Sequence, residues 1–187
     1  MVDDPVAAAK SALRSRLRRA RRALSAFERQ VAHAAIVERL RQMLSATKPP
    51  ALASYIALTD EVDLDALHRW WWNQQHPLWL PKVAGPGQLT WHPISAGDQL
   101  LTGAYGIREP DPVQVPSAPL PSTATVLVPG IGFTQAGARL GQGGGFYDRL
   151  LATHTGPTIG VAYRCQIVDT IPTGPWDRPV AGVTFPD

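Results

Sequence analysis

A run of glycines is the part of this sequence with the clearest chemical use. Four of the five residues in 141–145 are glycine, and the run stands between Arg139 and Asp148. Residues 125–129 (TVLVP) predict a buried strand before it, and a helix is predicted over 146–154. Successive backbone N–H groups in such a loop can bind an anion beside a helix start. This density of glycine favours a phosphate-bearing ligand over a turn that merely needs positive φ.

The common nucleotide-binding motifs do not account for this loop. The sequence has no Gly-x-x-x-x-Gly-Lys-Ser/Thr segment, so the loop is not a P-loop. The spacing Gly141-x-Gly143-x-Gly145 also differs from the G-x-G-x-x-G pattern of dinucleotide-binding folds and protein kinases. Taken alone, the loop therefore indicates an anion site without defining the class of nucleotide enzyme.

Asp148 is the carboxylate nearest to the glycine run. Phosphate-bound Mg²⁺ keeps several water ligands and usually takes one or two protein carboxylates, so a single aspartate is chemically sufficient. A carboxylate in the first turn of a helix is also favoured by the helix dipole without any metal. The residues leave these two interpretations equally open.

Positive charge is concentrated at the start of the chain. Ten of the 18 Lys and Arg residues lie in 10–41, against only Glu28 and Glu38. A solvated helix face is the default interpretation; a nucleic-acid surface and a wall over a polyphosphate are the alternatives. Nucleic-acid binding is disfavoured because no aromatic residue precedes Phe27. Lys10 and Arg14, one helical turn apart, could bind one phosphate chain together.

Asp60 and Glu61 follow the first predicted strand, at the sheet edge where the glycine loop should open. A carboxylate there could accept hydrogen bonds from the N–H groups of a ligand ring. On the residues alone, capping of the helix that starts near Asp63 is the favoured interpretation. Nucleophilic hydrolysis has little support, because no Gly-x-Ser-x-Gly segment exists and Cys165 has no histidine beside it in sequence.

The elements that must position these residues alternate between helix and strand. Ser25 and Glu28 form a capping box between two basic helices. Residues 95–124 are rich in Gly, Pro and Ser and predict a long surface connection. The predicted helices cover 6–23, 26–45, a segment from 63 and 146–154, and the predicted strands cover 51–58, 77–83, 89–94, 125–129, 158–162 and 180–185.

This pattern predicts one α/β domain over 1–187, a mostly parallel sheet flanked by helices on both faces. Its parts are an N-terminal basic helical hairpin, 6–45, and the sheet region, 51–187, with the glycine-rich nucleotide loop at 139–148. The 44% hydrophobic and 18% charged composition is typical of a globular chain. No apolar run is long enough for a membrane helix, no signal segment opens the chain, and its one cysteine fits a reducing cytoplasm.

In order along the chain, these segments resemble the 5-formyltetrahydrofolate cyclo-ligase family, also called 5,10-methenyltetrahydrofolate synthetases. The strongest match is Arg139-Leu140-Gly141-x-Gly143-x-Gly145-Phe146-Tyr147-Asp148-Arg149. The weaker matches, persuasive in their order, are Lys10-x-x-x-Arg14, Leu24-Ser25-x-x-Glu28, Asp60-Glu61, Leu80-Pro81-Lys82, Tyr105-Gly106-Ile107-x-Glu109-Pro110 and Val128-Pro129-Gly130-x-Gly132-Phe133.

The resemblance implies a reaction that depends on ATP and Mg²⁺. The formyl oxygen of 5-formyltetrahydrofolate would take the γ-phosphoryl group, giving an N5-imidate phosphate and ADP. Closure by N10 would then release phosphate and form 5,10-methenyltetrahydrofolate. The alternatives are an ATP-dependent enzyme of this scaffold with another substrate and, less favoured, a nucleic-acid-binding module. We expect a cytoplasmic monomer whose partner is the folate, with or without a polyglutamate tail, and no nucleic acid or membrane partner.

The resemblance also implies roles for individual residues. Arg139, Tyr147 and Asp148 would be catalytic, and Asp148 would hold Mg²⁺. ATP would be bound by Lys10, Arg14, Arg139, Leu140, Gly141, Gln142, Gly143, Gly144, Gly145, Phe146 and Tyr147. The folate would be bound by Ile56, Glu61, Gln142, Gly143, Gly144, Gly145 and Phe146.

Two positions depart from the family pattern. Many members have aspartate where this chain has Thr134, and many have Pro-Val-Asp where this chain has Ala181 after Pro179 and Val180. If the second aspartate binds metal in other members, Asp148 with phosphate and water must suffice here, or Asp177 must substitute. Weaker Mg²⁺ binding with retained activity is the expectation.

Overall fold

The fold is known from a computed structural model that describes residues 5–103 and 106–186. Two helices come first, α1 (Pro5–Ala23) and α2 (Ala26–Thr47). The further helices and strands, in chain order, are β1 (Leu52–Ala53), α3 (Asp65–Trp72), β2 (Leu78–Gly85), β3 (Gln88–Ile94), β4 (Leu100–Thr102), β5 (Arg108–Pro110), β6 (Thr125–Pro129), β7 (Gly132–Phe133), β8 (Arg139–Leu140), α4 (Phe146–Leu151), β9 (Thr158–Val161) and β10 (Gly182–Thr184).

Six strands form the main sheet in the order β10-β9-β6-β1-β2-β3. Every neighbouring pair is parallel except β2 and β3, which form an antiparallel hairpin at the edge. The predicted mostly parallel sheet is therefore confirmed. The pairs β4–β5 and β7–β8 form two small antiparallel sheets beside it.

Each face of the main sheet has its own apolar core. Side chains alternate along a strand, so Leu52 and Leu127 pack with α2 and α3. Ala53 and Val126 point to the opposite face and belong to a second core, against which Leu150 and Leu151 of α4 pack. The prediction of helices on both faces is confirmed.

The first helix lies against the segment that leads into the glycine run. Its Leu17 is buried with Ile131 and Leu140. The approach is close, since a Cβ added at Gly132 would lie 2.4 Å from Leu17 Cδ1. The predicted capping box starts α2: Ser25 Oγ accepts from the Glu28 N–H at 3.2 Å, and Glu28 accepts from the Ser25 N–H at 2.7 Å. Among the described residues, no helix is both long and apolar enough to span a bilayer.

Two predicted boundaries differ most from the structure. The strand predicted over 51–58 is β1 alone, because the chain leaves the sheet after Ser54, whose N–H still donates to Trp79 O at 2.9 Å. The predicted surface connection 95–124 contains β4 and β5, which pair with each other. The second of these anchors to β2 through buried Glu109, which accepts from the Val83 N–H at 3.2 Å. Composition does not reveal a contact of this kind.

The buried His68 is expected to make folding sensitive to acid. Its Nε2 lies 2.8 Å from Ser54 Oγ, and burial lowers the pKa of His68 from 6.5 to about 4. Between these pH values the unfolded chain binds a proton that the folded protein does not, so stability falls as pH falls. We expect the free energy of unfolding to lose ~1.4 kcal/mol per pH unit from this residue in that window. Urea unfolding of wild type and His68→Gln from pH 7 to 4 should show a shallower slope for the variant. Equal slopes would contradict the role of His68. Any contribution from His33 cancels in this comparison, because His33 is present in both proteins.

Candidate active site

A cavity of about 430 Å³ opens at the carboxyl ends of β1 and β6. The segment after β1 contributes Ile56 and Glu61, and the glycine loop contributes residues 141–148. Pro81 and Val83 of β2 and residues 107–109 close the other side. The structure thus brings the predicted folate-side residues and the glycine loop to one cavity, in the place where α/β folds bind ligands.

The glycine loop is held from outside by α1. Arg14 Nε donates to Gly141 O at 2.9 Å, and Arg18 Nη2 donates to Gln142 Oε1 at 2.5 Å. Within the loop, Gly143 has φ 109° and Gly145 has φ 68°, a region that L-residues rarely adopt. These glycines are required by the backbone conformation, and α1 fixes the position of that backbone.

Gly143→Ala should separate loop strain from loop function. A Cβ there would meet nothing closer than Arg14 Nη2 at 4.0 Å, so the cost is backbone strain of about 1–3 kcal/mol. Gly97 is a matched control with φ 98° and nothing within 4 Å of an added Cβ, and it does not line the cavity. Both alanine variants should lose similar stability by thermal unfolding. Only Gly143→Ala should lose activity, by about tenfold or more, because its strain moves ligand-facing amides. Equal activity losses would contradict a direct role for the loop.

Arg139 and Asp148 form an ion pair at the wall of the cavity. Arg139 Nη2 lies 3.0 Å from Asp148 Oδ2, and Nη1 donates to Pro129 O at 3.3 Å. The arginine is buried, and its Nε has no hydrogen-bond partner in the described part of the chain. A buried unsatisfied donor of this kind is costly unless a ligand supplies an acceptor.

Tyr147 lies against this arginine. The guanidinium carbon of Arg139 is 5.7 Å from the centroid of the Tyr147 ring. Burial raises the pKa of Tyr147 well above its ordinary value, and the nearby Glu61 charge adds to the shift. The phenol therefore stays protonated at neutral pH and is suited to donate a hydrogen bond.

Arg139 also lines a second, smaller cavity of about 310 Å³. Its further lining includes Gly174, Asp177 and Arg178. Lys10 forms a salt bridge with Asp177. Burial alone would raise the pKa of Asp177, but hydrogen bonds from the Gly174 N–H and Lys10 outweigh it and hold this pKa below its ordinary value. The Asp177 carboxylate therefore lines this cavity in its charged form, and Lys10 is its ion-pair partner.

The residues present fit a phosphate-bound Mg²⁺ held by a single protein carboxylate. Asp148 is partly exposed, and the ion pair with Arg139 engages only its Oδ2. Within 5–103 and 106–186, no group of three or more His, Cys, Asp or Glu side chains could hold a metal by itself. Mg²⁺ commonly takes one or two carboxylates and completes its shell with phosphate oxygens and water.

Arg21, expected on a solvated helix face, is instead buried. Its Nη2 lies 2.9 Å from Asp60 Oδ2, and its Nη1 lies 3.9 Å from Glu61 Oε1. Capping of α3 by the pair Asp60 and Glu61 is therefore wrong; Asp63 Oδ1 accepts from the Asp65 N–H at 2.8 Å. Burial raises the pKa of Glu61, against the opposing effects of the Leu58 N–H hydrogen bond and Arg21.

Not every predicted site residue lines the larger cavity. Lys10 and Arg14 lie outside its lining, and Leu140 is buried in the apolar cluster under α1. Tyr105, in a segment that carried the resemblance, falls outside the described residues. Two charged lining residues, Arg108 and Glu109, had no predicted role in ligand binding. The sequence pointed to their segment through the Glu109-Pro110 pair of the family resemblance.

A glycine-lined cavity at the carboxyl end of a parallel sheet, with a buried arginine paired to a partly exposed aspartate, is typical of α/β enzymes that act on phosphate-bearing ligands. The chain belongs to the 5-formyltetrahydrofolate cyclo-ligase family, which it matches over residues 6–186, and it is therefore a ligase.

The proteins similar to this chain align with almost its whole length. The 5-formyltetrahydrofolate cyclo-ligase of Haemophilus influenzae is 27% identical over 181 residues, covering 90% of this chain and 92% of that protein. The NMR structure of Aquifex aeolicus 5,10-methenyltetrahydrofolate synthetase has a TM-score of 0.83 and 33% identity, covering 94% of this chain and 89% of that one. The Mycoplasma pneumoniae 5,10-methenyltetrahydrofolate synthetase has a TM-score of 0.71 and 27% identity, covering 93% and 96%.

Proposed function

We propose that this protein converts 5-formyltetrahydrofolate to 5,10-methenyltetrahydrofolate and uses ATP and Mg²⁺ to do so, releasing ADP and phosphate. The family match and the names of its relatives support the substrate and the product. The two cavities that Arg139 lines support the use of a second, phosphate-bearing ligand.

The observation that carries the proposal is the position of Arg139. It lines both cavities, and its buried Nε has no partner among the described residues. A ligand with an anionic oxygen at the boundary between the two cavities would supply the missing acceptor. The transferred phosphoryl group must pass between nucleotide and folate, and a phosphate at this boundary meets that requirement.

The reaction we propose has two steps that balance in atoms and charge. The formyl oxygen attacks the γ-phosphorus, and ADP leaves with the electrons of the broken P–O bond. N10 then attacks the activated carbon, loses its proton, and expels inorganic phosphate. The protein contributes mainly position and charge neutralisation, since phosphoryl transfer needs little covalent help.

The chain's residues have separate roles in these steps. Arg139 stabilises charge on the transferred oxygens, and Tyr147 donates a hydrogen bond beside it. Glu61 and Ile56 contact the ring system, with the Glu61 carboxylate accepting from ring N–H groups. Lys10 and Arg14 hold the nucleotide phosphates from α1. Bound to Asp148, Mg²⁺ would neutralise phosphate charge.

This chain offers fewer carboxylates for Mg²⁺ than the family pattern suggests. Ala181 is exposed just before β10, and its N–H donates to Thr158 O at 3.0 Å. Thr134, the other departure, accepts from the Ala138 N–H at 3.0 Å through its hydroxyl. We propose that Asp148 is the protein's principal Mg²⁺ ligand and that binding is accordingly weak. Asp177 could act as a further Mg²⁺ ligand only if its salt bridge with Lys10 were broken.

The test is a direct assay. Purified protein is mixed with MgATP and 5-formyltetrahydrofolate, and the near-ultraviolet absorbance of the methenyl product is followed. A rise that requires both ATP and Mg²⁺ supports the proposal. Absence of product with folded protein would refute it, and release of ADP without methenyl product would indicate another substrate on the same scaffold.

We do not propose a nucleic-acid-binding role. Arg14, Arg18 and Arg21 of the basic helix are engaged with the glycine loop and with Asp60, so they do not form a free stripe for a phosphate backbone. A cytoplasmic monomer remains the prediction for compartment and assembly, and the single free Cys165 is consistent with a reducing compartment.

A further inference from the structure

Among the described residues, the charged groups that line the larger cavity have close ion-pair partners, except for Arg108, whose pairing is weaker. Glu61 lies beside Arg21, Glu109 Oε2 lies 3.0 Å from Lys82 Nζ, and Asp148 lies 3.0 Å from Arg139. These contacts balance every carboxylate in the cavity lining of the described residues. Arg108 is the lining cation that remains.

In the described part of the chain, the salt-bridge partner of Arg108 is Asp65, which does not line the cavity. Its Nη2 is 3.7 Å from Asp65 Oδ2, and both side chains are about half exposed, at 56% and 44%. Exposed pairs at such a distance contribute little, so the guanidinium is available to a better-placed anion. Arginine is suited to that role because its planar fork binds a carboxylate through two N–H groups.

Arg108 and the reaction centre lie on opposite sides of the cavity. Arg108 belongs to β5, which is fastened to β2 by the Glu109 contacts with Lys82 and Val83. Arg139 lies in β8 and donates to Pro129 O at the end of β6, and β1 separates β6 from β2 in the sheet. Two strand spacings are about 10 Å, so a ligand that reaches both sides must be elongated.

We propose that Arg108 binds a carboxylate of the glutamate tail of the folate and thereby sets the protein's preference for glutamylated substrates. This inference rests on the proposed function, which supplies the substrate class. In a reduced folate, an aminobenzoyl spacer separates the reacting N5 and N10 end from the glutamate. The cavity offers an apolar stretch, with Leu58, Val83 and Ile107 in its lining, in addition to its two cationic positions.

The experiment compares two substrates that differ only in the tail. 5-Formyltetrahydrofolate carries one glutamate, and 5-formyltetrahydropteroate carries none. Arg108→Gln should raise KM and Kd for the glutamate-bearing substrate about fivefold, the size expected for a partly exposed ion pair, with kcat unchanged. KM for the substrate without glutamate should not change. Arg108→Lys should recover part of the loss, because it keeps the charge.

Arg69→Gln is the matched control. Arg69 is an exposed arginine of α3, the helix whose Asp65 pairs with Arg108, but it does not line the cavity. It should leave both substrates unaffected. An equal rise for the two substrates in Arg108→Gln, or no rise for either, would overturn the tail-binding role while wild-type turnover upholds the proposed function. Absence of methenyl product from wild type would instead refute the function itself.

Discussion

Asp148→Asn is expected to lower kcat for methenyl formation by at least about 10²-fold, the usual size of losing one charge-stabilising contact at a reacting group. The amide keeps the shape of the side chain but provides no anionic oxygen for Mg²⁺. The Asp148 Oδ2 is already engaged by Arg139 at 3.0 Å, so the substitution also loosens that arginine. Turnover is followed by the near-ultraviolet absorbance of the product at saturating ATP and folate.

A metal titration distinguishes these two effects of Asp148→Asn. If Asp148 binds Mg²⁺, the half-saturating Mg²⁺ concentration should rise in the variant and excess Mg²⁺ should restore part of kcat. If it only positions Arg139, the titration should not shift. Asp169→Asn, at an exposed aspartate outside both cavity linings, controls for the loss of one negative charge. A variant with wild-type kcat would contradict the metal role.

The parts of the fold that were predicted correctly are those that residues close together in sequence determine. The β6 strand was predicted at its observed bounds because the β-branched residues Thr125, Val126 and Val128 follow a polar connection and precede glycine. The start of α2 was predicted from the capping box, which needs only residues three apart. The glycine loop was recognisable because its positive φ values require glycine itself.

Long-range charge pairing could not be predicted in this way. Arg21 looks like any other arginine of α1, yet Asp60, 39 residues away, makes it a buried ion-pair partner. Glu109 lies in a segment whose composition indicates a surface connection, yet its carboxylate is buried, where Lys82 and the Val83 N–H bind it. In both cases tertiary packing supplies the compensating charge, and that partner has no signature in the neighbouring residues.

The same limit applies to the division of the site into two cavities. The resemblance assigned Lys10, Arg14 and the glycine loop to one nucleotide site. The structure places Lys10 against Asp177 at the smaller cavity and Arg14 against the Gly141 carbonyl. Among the described residues, Arg139 alone lines both cavities. A function that needs two ligands to meet therefore depends most directly on this residue.

Arg139→Lys is accordingly expected to lower kcat about 10²-fold although the positive charge is kept. Separate N–H groups of the guanidinium bond Asp148 at 3.0 Å and Pro129 O at 3.3 Å, and Nε remains for a ligand. One ammonium group cannot reach all three positions from one rotamer. Because Arg139 lines both cavities, KM should rise for ATP and for the folate alike, measured by varying each at fixed concentrations of the other.

Arg149→Lys provides the matched substitution within the same stretch of chain. Arg149 is exposed, and its Nη1 makes only 3.4 Å hydrogen bonds to the Gly87 and Gly144 carbonyls, so a lysine there should change kcat by less than about threefold. Circular dichroism and thermal unfolding establish that both variants are folded. If Arg139→Lys raised KM for only one ligand, Arg139 would belong to one cavity in function. If it turned over like wild type, charge alone would suffice, and the fork geometry on which the proposed phosphoryl transfer depends would have no role.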